Sequence, residues 1–115
     1  MNLCDYSKNP NEILCHIAEQ TGLEFDEECR CISLPRGIED VIQLHYDDYY
    51  KEGQKKFYYH RWYEHYMTYI CLNNHDVETV IEIINKDIER YKNECDKLWF
   101  KSFYQSNYSR PWWEN

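Results

Sequence analysis

Apolar residues recur at helical spacing over two long parts of the chain. Ile13, Leu14, Ile17 and Ala18 form the first stripe. It is entered through Asn9, Pro10 and Glu12: a capping residue, a first-turn proline and an acid three residues past the cap. Gly22 follows as the C′ residue, with Leu23 behind it as the usual hydrophobic contact. These signals predict a helix over 10–21. The second stripe runs from 77 to 99 through Val77, Val80, Ile81, Ile84, Ile88, Tyr91, Cys95, Leu98 and Trp99. Asn74 or Asp76 is its N-cap. Acids lead and bases trail along it, as the helix dipole favours.

Two further stretches fit the same period. Ile38, Val41, Ile42, His45 and Tyr49 share a face, which predicts a helix over 38–52 that ends or kinks at Gly53. In the ring-rich stretch 57–72, Tyr58, Tyr59, Trp62, Tyr63, Tyr66, Met67, Tyr69 and Ile70 fall within about half the helix circumference. His60, Arg61, Glu64, His65 and Thr68 take the other half, and Phe57 alone falls among the polar set. This reads as an amphipathic helix with a bulky inner face. Residues 23–34 lose the helical period and suit an extended chain or a short hairpin turning at Asp26-Glu27-Glu28. The expected architecture is a compact all-α domain of four helices with an irregular or short β segment near 23–34. It becomes α+β if that segment forms a minor hairpin. Residues 1–115 make one globular domain, with 106–115 as a flexible tail.

Composition supports a folded chain and narrows its chemistry. A hydrophobic content of 43 % over 115 residues is enough for a core without disulfides or metal. Only three Gly and three Pro argue against a turn-rich all-β fold. The net charge of −8 is uneven. Residues 1–52 hold twelve acids against four bases, while 53–115 hold nine of each. An acidic half does not neutralise phosphates, so direct nucleic-acid binding is not expected. No apolar run reaches membrane-spanning length, and no leader-like segment is present at the start. The expected location is the cytoplasm, that of the host cell if the chain is viral. There the six cysteines are reduced thiols.

No motif names a reaction. G-x-S-x-G, the P-loop and G-x-G-x-x-G are all missing, and the three glycines stand apart. The expectation is therefore no enzyme and no cofactor. Cys29, Cys31, Cys71 and His75 are the candidates for a small metal-binding or thiol-sensing domain, but their spacing departs from zinc-site patterns. No metal site is assigned. His45, which interrupts an apolar face, reads first as a hydrogen-bonded core residue and second as a ligand or base.

The acids carry the functional reading. Glu24, Asp26, Glu27 and Glu28 lie in the irregular segment, and Glu39, Asp40, Asp47 and Asp48 follow on or near the outer face of the 38–52 helix. Tyr46 and Tyr50 are interleaved with them. Mixed rings and carboxylates resemble, in a general way, proteins that imitate nucleic acid or occupy a basic groove. A short, acidic, Tyr-rich chain without catalytic motifs also looks like many small phage or mobile-element proteins that inhibit a host factor. The expected function is thus a non-enzymatic module that binds a host protein's basic surface. The alternatives are the metal or thiol domain and a self-associating subunit, a homodimer in the simplest case.

Overall fold

The computed structural model of the protein describes residues 1–39, 41–47, 56–63 and 66–95. A 3-10 turn at Leu3–Tyr6 precedes helix α1 (Pro10–Thr21). Five strands follow: β1 (Glu24–Asp26), β2 (Cys31–Ser33), β3 (Ile42–Asp47), β4 (Lys56–Tyr63) and β5 (Tyr66–Cys71). Helix α2 (Val77–Cys95) comes last. The strands pair antiparallel in the order β1-β2-β3-β4-β5. Among the described residues, two helices and a five-stranded sheet make an α+β fold, so the all-α four-helix expectation is wrong.

The two helices with clear end signals form where their sequences place them. At the end of α1, Gly22 adopts φ 79° and its N–H reaches the Ala18 carbonyl at 2.8 Å. A side chain disfavours that left-handed conformation, which is why glycine ends the helix here. At the start of α1, Asn9 does not cap through the helix backbone; its side chain donates to the Glu12 carboxylate at 3.0 Å. Asp76 rather than Asn74 caps α2, accepting the Glu78 N–H at 3.1 Å. Leu98 and Trp99 lie outside the described residues.

The other two predicted helices are strands. In β3 the sequence Ile-Gln-Leu-His-Tyr-Asp alternates strictly: Ile42, Leu44 and Tyr46 are buried, while Gln43, His45 and Asp47 are half-buried. A period of two was present in 42–47 all along. The helical reading reached across it, drawing Ile38 and Val41 into one helical face with residues that form a strand. Residues 48–55, with Tyr49 and Gly53, lie outside the described residues.

The ring-rich stretch is the β4–β5 hairpin, with Tyr63 paired to Tyr66. Phe57, the misfit of the helical reading, is fully buried, and Tyr59 with it. Tyr58 and His60 alternate onto the opposite face. Tyr, Phe, Trp and Thr favour a pleated, half-buried surface, and this preference decides between two periods that both fit.

Both helices cover one face of the sheet. α1 lies over β1–β3, α2 lies over β3, and the helices touch each other. Leu14 and Ile17 of α1 and Val80 and Ile84 of α2 meet Ile32, Leu44, Phe57 and Tyr59 of the sheet in one core. Fully burying such side chains contributes about 1.5–3 kcal/mol each. The N-terminal turn is stitched to the β5–α2 connection: Leu3 N–H bonds to the His75 carbonyl, Cys4 N–H to Asn73, and Val77 N–H to Met1. Leu3 is thereby driven into the core at zero exposure.

One charged group is buried between sheet and helix. Asp87 of α2, 5 % exposed, accepts the Tyr59 hydroxyl at 2.7 Å. Its other oxygen faces Arg61 at 3.2 Å and Arg90 at 3.6 Å. Burial, with Asp87 next to it, pushes the Tyr59 hydroxyl far above its ordinary pKa, so Tyr59 acts as a donor only. A buried carboxylate is tolerated because two guanidiniums and a hydroxyl replace its water.

Candidate functional site

The helix-free face of the sheet carries the side chains that alternate away from the core: Glu24 and Asp26 on β1, Cys31 and Ser33 on β2, and Gln43, His45 and Asp47 on β3. At the β1 end this face is hollowed into a groove of about 600 Å³. Phe25 and Leu34 border it while their side chains pack into the core on the other side, and Ser33 and Gln43 supply neutral polar groups. Five carboxylates, from Glu24, Asp26, Glu27, Glu28 and Glu39, stand around it, with Arg36 the one base among its described lining residues.

Local hydrogen bonds shape the rim. The 27–30 turn closes with Arg30 at φ 52°, a conformation that costs a non-glycine residue about 1–3 kcal/mol. Its carbonyl accepts the Tyr46 N–H at 2.9 Å, and its guanidinium lies 5.9 Å from the Tyr46 ring centroid. Asp26 accepts the Cys29 N–H at 3.0 Å. That backbone bond holds the Asp26 carboxyl below its ordinary pKa, so it stays charged well into acid. Across the groove, the Gly37 N–H donates to the Glu39 carboxylate. Gly37 at φ 102° provides the bend that aims this N–H.

The thiols of this region are poor nucleophiles. The hydrogen bond and negative charge of Asp26 push the exposed Cys29 thiol up, and burial pushes Cys31 up to about 11. The thiolate is the reactive and metal-binding form, so both are protonated at neutral pH. Cys31 on β2 and Cys71 on β5 are three strand spacings apart, about 14 Å. The quartet Cys29, Cys31, Cys71 and His75 therefore does not converge on one ion. Among the described residues, no three His, Cys, Asp or Glu side chains are grouped to hold a metal.

Of the predicted contact residues, Glu24, Asp26, Glu27, Glu28 and Glu39 come together around the groove. Asp47 is half-buried at the end of β3 on the same face. Tyr46 is not a surface residue. It is 5 % exposed, and its hydroxyl donates to the Ser7 carbonyl at 3.0 Å. Asp40, Asp48 and Tyr50 lie outside the described residues. His45 is neither in the core nor bonded as expected. It is half-buried on the helix-free face, edge-on to His60 at 4.7 Å, with Nδ1 lacking a hydrogen-bond partner among the described residues.

Sequence reasoning missed Arg36, Ser33 and Gln43 in the groove, and Asp87 beneath the sheet. Gln43 was legible from the β3 alternation. Asp87 was legible too, since it stands three residues after Ile84 and seven after Val80, on the apolar stripe of α2. Arg36 carried no signal beyond lying next to Gly37 in a turn. Comparison with known protein families, characterised proteins and solved structures finds no match. No helix among the described residues is long and apolar enough to cross a membrane.

Proposed function

We propose that this protein is a non-enzymatic binding module whose acidic groove docks a basic surface of another protein, in the manner of a small inhibitor that masks a nucleic-acid-binding site. The supporting observation is the convergence of five carboxylates from two separate loops and β1 around one solvent-open concavity. Five carboxylates against one base make the potential in the groove strongly negative, which steers a cationic partner toward it. The metal or thiol alternative is less well supported, because its residues are dispersed and Cys29 and Cys31 are protonated.

The experiment is capture of partners from host lysate with the wild-type protein and with a variant carrying Glu24→Lys, Glu27→Lys and Glu28→Lys. A partner that docks in the groove is lost by the variant, and its association slows as salt rises toward physiological strength. All three positions are exposed, so the circular dichroism should not change. A partner held equally by both proteins, or one that is acidic where it touches, would falsify the proposal.

A further inference from the structure

The two edges of the sheet are built differently. β1 is three residues long, and two of the three are exposed acids, Glu24 and Asp26. Short length and charge are the usual protections of an edge strand against pairing with another chain. β5 is six residues long, with the sequence Tyr-Met-Thr-Tyr-Ile-Cys. It contains no charge, proline or glycine, so it carries none of those protections. Among the described residues, no segment pairs with its outer side.

Register identifies the backbone groups at this edge. The Leu72 N–H bonds to the Phe57 carbonyl at 2.9 Å. Antiparallel pairs alternate between bonded and non-bonded, so Ile70 exchanges bonds with Tyr59, and Thr68 with Arg61. Met67, Tyr69 and Cys71 then direct their N–H and C=O groups away from β4. Three donors and three acceptors form one neutral row along the edge.

We infer that β5 is a self-association edge, pairing antiparallel with β5 of a second copy across a two-fold axis to make a continuous ten-stranded sheet. The row is self-complementary. With Tyr69 opposite its own copy, Met67 faces Cys71 on both sides of the axis, and all six groups of each chain are bonded. Shifting the axis by one residue either way leaves only four interchain bonds. The choice of a second copy also follows from charge. The five carboxylates of the groove lie at the β1 side, four and a half strand spacings or about 22 Å from the dimer axis. That exceeds the screening length of about 8–10 Å at physiological salt. The pairing is isologous, so it closes at two copies and leaves both acidic grooves open at the far ends.

The test is sedimentation equilibrium of the full chain over a concentration series, with two variants. Tyr69→Pro removes an outward N–H that β4 does not use. Cys71→Lys puts a like charge on each edge at an already exposed position. The wild type should sediment as a dimer at micromolar concentration. Tyr69→Pro should weaken dimerisation at least about tenfold, since it removes two of six shared bonds, and Cys71→Lys should weaken it in the same direction by a smaller factor. Added salt should leave the wild-type dimer unchanged or slightly stronger, opposite in sign to groove binding. A wild type that stays monomeric at every concentration, or variants that dimerise as well as wild type, would overturn the inference. Neither result bears on the groove.

Discussion

Asp87 shows how one side chain can commit several others. Its carboxylate is the common partner of Tyr59, Arg61 and Arg90, so removing its charge weakens an ion pair to each of two guanidiniums rather than one. Asp87→Asn is expected to cost about 3 kcal/mol, the low end for breaking a buried ion pair, because both arginines keep a wet edge. Tyr59→Phe should cost less, about 1.5–3 kcal/mol for a hydrogen bond to a charged group. Urea unfolding of the two variants checks both values and their order. His45 acts through pH instead. Burial holds its folded-state pKa below the ordinary 6.5, with Asp47 opposing. On acidification the unfolded chain therefore takes up this proton first. Stability falls as pH drops below 6.5 and levels out once the folded protein is protonated as well. The difference in unfolding free energy between wild type and His45→Gln, measured from pH 7 to 5, should fall accordingly. A flat difference would mean that the ring is as solvated in the folded protein as in the unfolded one.

At the scale of elements, legibility followed punctuation rather than periodicity. α1 carries a proline at its start and a glycine at its end, and α2 carries an aspartate cap, so both could be read from sequence. The β4–β5 stretch has no Gly, Pro or Asn between Phe57 and Leu72 to mark a turn. Its rings are so dense that a 100° period and a 180° period both collect an apolar face. Phe57 was the residue that separated them, fitting only the strand. The acids of the groove were legible because charge is visible without a fold; their convergence was not, since it depends on β1 and β2 pairing. α2 offers the matching quantitative check. Ile84 is fully buried where helix meets sheet. Ile84→Ala should destabilise by about 2–5 kcal/mol, the range for truncating a buried aliphatic residue. Thermal unfolding that does not change would place the stripe in water.

At the scale of the whole molecule, charge and topology divide the protein along the sheet. The acidic groove lies at the β1 edge and the neutral strand at the other. Strand order equals chain order, so each strand finds its partner a few residues away and the sheet needs no long loop closure. The N-terminal turn is the exception: Leu3 bonds to His75 across most of the described chain. During synthesis, Leu3 and the apolar stripe of α1 emerge well before their partners at 73–77 and on α2. Ile13, Leu14 and Ile17 thus leave the ribosome as an uncovered stripe that β2 and β3 shelter only in part. The most exposed period in the life of this chain is the interval before α2 arrives, when a chaperone, a protease or a neighbouring nascent chain meets the face that the finished protein hides.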